Sequence, residues 1–181
     1  MNLANKITIF RILLIPLFMV FLFVDITYNR YIAASIFVLA ALTDSLDGYI
    51  ARSRDQITVF GKFIDPLADK LLVSAALVSL VELGDVSSWA TFIIIAREFI
   101  ITGFRVLAAA DGIVIAASGW GKIKTVTQMV AIVSILIDNF PFSIIHFPFS
   151  RIALILAVIF TIISGIDYIY LNRKIFSQDN R

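Results

Sequence analysis

The sequence predicts an all-α membrane bundle of six transmembrane helices with both chain ends on the cytoplasmic side, and three observations predict it. Hydrophobic residues make up 60% of the 181 positions and the mean hydropathy is +0.98, more apolar surface than a water-soluble core can hide. Six apolar stretches approach the roughly 20 residues that a helix needs to cross a hydrocarbon layer about 30 Å thick. The basic residues recur at alternate ends of those stretches, as they do in chains that cross a membrane repeatedly.

The first stretch covers about residues 7–25; it follows Lys6, carries Arg11 and lacks a small-residue cleavage pattern, so it reads as a retained helix and not a cleaved leader. The others lie at about 31–52, 62–83, 88–110, 122–138 and 149–171. Lys6, then Arg52, Arg54 and Lys62, then Arg105, Lys122 and Lys124, then Arg173 and Lys174 occupy one set of ends, which the positive-inside bias makes cytoplasmic. The opposite connections hold Asp25 with Arg30, Glu82 with Asp85, and Asp138 with His146 and Arg151, a poorer share of positive charge. Trp89 and Trp120 read as interfacial anchors, most of the phenylalanines as lipid-facing filling, and His146 as a surface residue. No repeat, low-complexity tract or long linker divides the chain, so residues 1–181 are expected to form one domain. The absence of cysteine excludes disulfides and thiolate chemistry, and a net charge of +2 spread along the chain gives no nucleic-acid footprint.

The chemistry is concentrated where the second and third helices meet. Asp44, Asp47, Gly48 and Ala51 share one helical face, and Gly61, Asp65 and Asp69 share another. A helix entering near Tyr31 carries Asp44 and Asp47 roughly 20–25 Å inward, close to the cytoplasmic boundary, and the returning helix brings Asp65 and Asp69 to similar depth within about two turns of its start. Four carboxylates at one depth raise one another's pKa, and burial adds to the penalty, so divalent cations are expected to resolve the conflict. Oxygen-only ligation favours Mg²⁺, Mn²⁺ or Ca²⁺, and four carboxylates can bridge a pair of ions. Gly48, Ala51 and Gly61 leave the acidic faces bare for close approach, and Arg52 offers a forked donor to phosphate.

The pattern Asp44-x2-Asp47-Gly48-x2-Ala51-Arg52-x8-Gly61-x3-Asp65-x3-Asp69 resembles the signature of the CDP-alcohol phosphatidyltransferase family, with all eight fixed positions present at the expected spacing. The resemblance implies a membrane enzyme, commonly a homodimer, that binds CDP-diacylglycerol at the cytoplasmic face of a bacterial cell membrane. It implies that Asp44, Asp47, Asp65 and Asp69 hold two metal ions, Mg²⁺ or Mn²⁺. It also implies that Gly48, Ala51, Arg52 and Gly61 contact the cytidine diphosphate, and that Asp69 doubles as general base. The start Asn5-x2-Thr8-x2-Arg11-x4-Pro16, with Asn5 and Thr8 assigned to the CDP-lipid, is similar to members whose acceptor is glycerol 3-phosphate. So are Arg97-Glu98-x6-Arg105 and Gly121-Lys122-x-Lys124-Thr125.

An anionic acceptor is also expected from the residues themselves, because Arg105 ends the fourth helix and Lys122 and Lys124 open the fifth on the side of the carboxylates. Gly119 and Gly121, taken to precede that helix, would leave backbone N–H groups and the positive end of a helix dipole for a phosphate. The proposed reaction is phosphatidyl transfer to glycerol 3-phosphate, giving phosphatidylglycerophosphate and CMP. Inositol phosphate, serine or phosphatidylglycerol are the alternative acceptors.

Plainer readings compete. Asp65 before Pro66 is the pattern of a helix N-cap with proline at the first helical position, which would leave Asp69 in the favoured first turn. That leaves Asp44 and Asp47 unexplained, since they lie toward a helix C-terminus, where the dipole disfavours carboxylates. Arg54 is a topological anchor, Arg97 either binds ligand or pairs with Glu98 or another helix, and Asp167 is expected to make a helix contact. An ion-coupled transporter would also carry intramembrane carboxylates, but with repeats and a site near the midplane.

Overall fold

The computed structural model describes residues 3–53, 59–110 and 118–173, with side chains described for all of these except 3–5, 44–53, 59–63, 65, 66 and 110. Among the described residues there are six α-helices and no strand: α1 Leu3–Phe23, α2 Asn29–Ser53, α3 Val59–Glu82, α4 Ser88–Ala110, α5 Gly119–Leu136 and α6 Phe149–Leu171. Each coincides within a few residues with one of the six apolar stretches. A short 3-10 turn, Phe142–Ile145, precedes α6 and has no counterpart in the apolar pattern.

The chain divides into two units, residues 1–86 with 136–140, and residues 87–135 with 141–181. In the first, α1 packs on both α2 and α3, and α2 packs on α3. Phe18 and Phe37 meet at 5.9 Å between ring centroids in a core that also buries Leu22, Leu72, Leu77 and Leu80. Ala33, Ala40, Ala68 and Ala76 are fully buried beside them, and small side chains of this kind let membrane helices approach closely.

One end of this unit is tied together by charge. At the end of α3, Gly84 adopts φ 78°; its N–H donates to Val81 O at 3.0 Å and that of Asp85 to Leu80 O at 2.9 Å. This left-handed helix stop, natural to glycine, aims the chain at α2. After α5, Asp138 and Asn139 turn the chain with φ of 52° and 60°, a conformation their short polar side chains tolerate. Arg30, at the start of α2, then bridges both connections, at 2.8 Å to Asp85 and 2.6 Å to Asp138. The three segments that the charge pattern assigns to one side therefore meet at one end of the unit. A double-mutant cycle on Arg30→Ala and Asp85→Ala, read by thermal unfolding in detergent, is expected to give a coupling of about 1 kcal/mol; additive single effects would show the pair to be thermodynamically idle.

In the second unit α4 packs on α6. The two run in the same direction: a Cβ on Gly165 would lie 3.4 Å from Arg97 Cγ, and the Arg105 guanidinium sits 5.7 Å from the Tyr168 ring centroid. Ala153, Ala157, Thr161, Ser164 and Tyr168 form the buried stripe of α6, spaced by three or four residues as one helical face requires. Ala131 of α5 packs against Ala153 and Ala157, and Trp120 stacks on Phe160 at 6.2 Å, so α5 runs opposite to α6.

Among the described residues two helices, α1 from Lys6 to Phe23 and α6, are long and apolar enough to cross a membrane by composition alone, and Asn29–Thr43 of α2 is a shorter apolar run. The others carry charged residues within their length, among them Asp44 and Asp47 in α2, Asp69 and Lys70 in α3, Arg97 and Glu98 in α4 and Lys122 and Lys124 in α5. Large apolar side chains stand exposed along every helix, among them Leu13, Val78, Phe92, Val126 and Ile166. Exposed apolar surface on that scale suits a lipid solvent.

Candidate active site

α2 and α3 are joined through residues 54–58, so the two helices can be counted from their facing ends at Ser53 and Val59. Asp47 and Asp65 each lie about 9 Å from those ends, and Asp44 and Asp69 about 14–15 Å, at a rise of 1.5 Å per residue. Counted this way the four aspartates fall into two pairs at similar distances from the facing helix ends, Asp47 with Asp65 and Asp44 with Asp69. Of the four side chains only Asp69 lies among those described, and it is half-buried. Those of Asp44, Asp47, Asp65, Gly48, Ala51, Arg52, Gly61 and Asn5 lie outside the described side chains, as does all of Arg54. Among the described residues no three His, Asp or Glu side chains cluster.

The capping reading of Asp65 and Pro66 is overturned. α3 begins at Val59, so both residues lie inside the helix, where proline forfeits a backbone hydrogen bond and costs about 3 kcal/mol. A sequence that tolerates that cost beside two aspartates is constrained by something other than helix initiation.

α1 supplies a buried residue, Arg11, that the sequence pattern contains without a contact assigned to it. Arg11 is completely buried, and its Nε donates to Thr43 Oγ1 at 3.4 Å, next in the chain to Asp44; the Thr43 hydroxyl in turn donates to Ala40 O at 2.6 Å. Thr8, one turn earlier on α1, is also buried. A buried guanidinium needs polar or anionic partners, and Thr43 supplies one. The signal was legible: an arginine within an apolar stretch needs an anionic or polar partner.

The cations assigned to the acceptor divide by environment. Arg105 and Lys122 are exposed, Arg105 over the Tyr168 ring. Lys124 is only 2% exposed, and its Nζ donates to Glu98 Oε1. Arg97 Nη1 lies 3.8 Å from Glu98 Oε2, so of the readings open for Arg97 the structure shows the pairing with Glu98. The glycines are placed differently from expectation. α5 starts at Gly119, so Gly119 and Gly121 form its first turn, and the Gly121 N–H is already taken by the Ser118 carbonyl and hydroxyl, at 3.1 and 3.2 Å. Ser118 acts as an N-cap there, leaving Gly121 no donor for a phosphate. His146 is exposed, and Asp167 is half-buried on α6.

Comparison with known proteins places these helices in context. The profile of the family described as CDP-alcohol phosphatidyltransferase matches residues 1–163. The chain is similar to the CDP-diacylglycerol--glycerol-3-phosphate 3-phosphatidyltransferase of Bacillus subtilis (strain 168), at 44% identity with 99% of each chain covered. It is 37% identical to the protein of the same name from Rickettsia bellii, with 97% of each covered. A probable phosphatidylglycerophosphate synthase of Mycobacterium tuberculosis (strain H37Rv) is 38% identical over 93% of this chain and 80% of the relative.

Proposed function

The chain belongs to the CDP-alcohol phosphatidyltransferase family, and from that membership we propose that it transfers the phosphatidyl group of CDP-diacylglycerol to glycerol 3-phosphate, giving phosphatidylglycerophosphate and CMP. It is a membrane-associated transferase of phospholipid biosynthesis, as the aspartate pattern in α2 and α3 implied. The observation that carries the acceptor is near end-to-end similarity to proteins named for this reaction, at 44% and 37% identity. An ion-coupled transporter is set aside by the same membership.

In the proposed site Asp44, Asp47, Asp65 and Asp69 would hold two divalent cations, Mg²⁺ or Mn²⁺, which when bound would supply positive charge to the donor's pyrophosphate and to the leaving CMP. Gly48, Ala51 and Gly61 admit the cytidine diphosphate close to the backbone, Arg52 donates to it, and Asn5 and Thr8 contribute from α1. Asp69 accepts the proton of the acceptor hydroxyl as its oxygen bonds to the lipid-side phosphorus. The bond from that phosphorus to CMP breaks, and CMP departs with the electron pair. Arg105 and Lys122 bind the acceptor's own phosphate, with Lys124 adding positive charge from its buried position.

The six helices are proposed to span the cytoplasmic membrane of a bacterial cell, with both termini and the active site on the cytoplasmic side and the enzyme acting as a homodimer. The charge alternation and the meeting of three same-side segments at Arg30 support that topology. The family match runs through both units, which supports one working domain over residues 1–181.

The test is an acceptor panel. Purified protein with CDP-diacylglycerol and Mg²⁺ is offered glycerol 3-phosphate, inositol phosphate, serine and phosphatidylglycerol separately, and CMP release is measured. Glycerol 3-phosphate is expected to give the highest kcat/KM of the four and to exceed serine, which brings no phosphate to the site's cations, by at least about a hundredfold. Preference for another acceptor would reassign the substrate and leave the family unchanged.

A further inference from the structure

The second unit contains a charged cluster of which the reaction as described uses only Lys124. Glu98 stands in α4, ten residues from its start, with one carboxylate oxygen accepting from Lys124 Nζ of α5 and the other 3.8 Å from Arg97 Nη1. Lys124 is almost fully enclosed, and the Arg97 and Glu98 side chains are 14% and 22% exposed. Arg97 Nε is buried without a hydrogen-bond partner. One carboxylate thus faces two cations in a low-dielectric interior, where removing it leaves buried positive charge uncompensated.

The geometry of α5 gives this pairing a direction. Lys124 lies two residues beyond Lys122, so at 100° per residue the two point to nearly opposite sides of the helix. Lys124 turned inward onto Glu98 therefore fixes Lys122 outward, and Lys122 is exposed. Ser118 caps the same turn through the Gly121 N–H. Trp120, stacked on Phe160, holds the helix start against α6. Rotation of α5 about its axis is thus opposed at its first turn by packing and one turn later by the Glu98 contact.

We propose that Glu98 is a positioning residue: its ion pair with Lys124 sets the rotation of α5 and so presents Lys122 to the phosphate of the acceptor. This rests on the reading of glycerol 3-phosphate as that acceptor. Glu98 touches neither substrate; its effect passes through Lys124 and the helix. Its loss should therefore weaken acceptor recognition selectively, whereas a purely structural role would affect both substrates together.

The experiment measures steady-state constants for both substrates in full-length Glu98→Gln, alongside its melting temperature. The expected result is a KM for glycerol 3-phosphate raised about tenfold or more, with the KM for CDP-diacylglycerol changed less than about twofold. Parallel rises in the two constants, or an unchanged acceptor KM, would overturn the proposal. Where the glutamine protein fails to accumulate, Glu98→Asp decides, since it keeps the charge and withdraws it by one methylene. It is expected to raise the acceptor KM about threefold and leave the donor KM alone; both constants moving together, or neither, again overturns the idea. The wild-type acceptor panel separates the two failures. Should another acceptor be preferred there, the glycerol 3-phosphate reading falls, and the Glu98 variants are judged by whether that acceptor's KM alone responds.

Discussion

Asp69→Asn is expected to lower kcat by about three orders of magnitude while leaving donor affinity within a few-fold of wild type, and Asp44→Asn to weaken donor binding more severely. The difference follows from the roles proposed for the two residues. An asparagine at position 69 keeps one oxygen for a cation but cannot take up the proton of an attacking hydroxyl. Asp44 has no proton to move in this scheme, so its loss falls on the cations and on the pyrophosphate they neutralise. Donor affinity measured calorimetrically with the CDP-lipid, beside CMP release under saturating substrates, separates the effects. Equal donor affinity in the two variants would contradict the division of labour. The half-buried setting of Asp69 in α3 suits a group that must reach a substrate hydroxyl and still keep bulk water at a distance.

The helices were legible because apolar length and charge alternation are imposed by the membrane itself, and neither depends on how the helices pack. That is why α4 and α6 begin and end where the apolar stretches do. The helix ends that failed were governed by local chemistry. Asp65 with Pro66 has the residues of a helix start, yet α3 runs through them from Val59. Gly119 and Gly121 have the residues of a loop, yet Ser118 caps them into the first turn of α5. Propensity is a weak prior where neighbouring helices supply the stabilisation. The aspartate signature was visible because two acids three or four residues apart, on one helical face, occur on each of two successive helices. The partners of Arg11 and Lys124 were not, because a contact 32 or 26 residues away in sequence has no periodicity to betray it. What the sequence did offer was the anomaly: a charge inside an apolar helix, which called for a partner without naming it.

Removal of divalent metal is expected to abolish turnover and, in the same sample, to lower the melting temperature by about 5 °C or more. The second effect is the more discriminating, because it follows from the acidic faces of α2 and α3 and requires no substrate. On the proposed reading, the four carboxylates repel one another once the cations are gone, and that repulsion weakens the helix hairpin that bears them. Replacing one carboxylate by an amide relieves part of it. Asp69→Asn, inactive as it is, should therefore lose less thermal stability on chelation than the wild type does. Mg²⁺ or Mn²⁺ restores both activity and melting temperature in the wild-type protein, whereas Zn²⁺, which prefers nitrogen and sulfur ligands in a tetrahedral array, restores activity poorly. If chelation stops turnover without shifting the melting temperature, the metal enters with the substrate and not through the aspartates. The two aspartate pairs of α2 and α3 would then need another explanation. A stability loss that persists undiminished in Asp69→Asn would instead remove Asp69 from the ligand set and leave it only the proton.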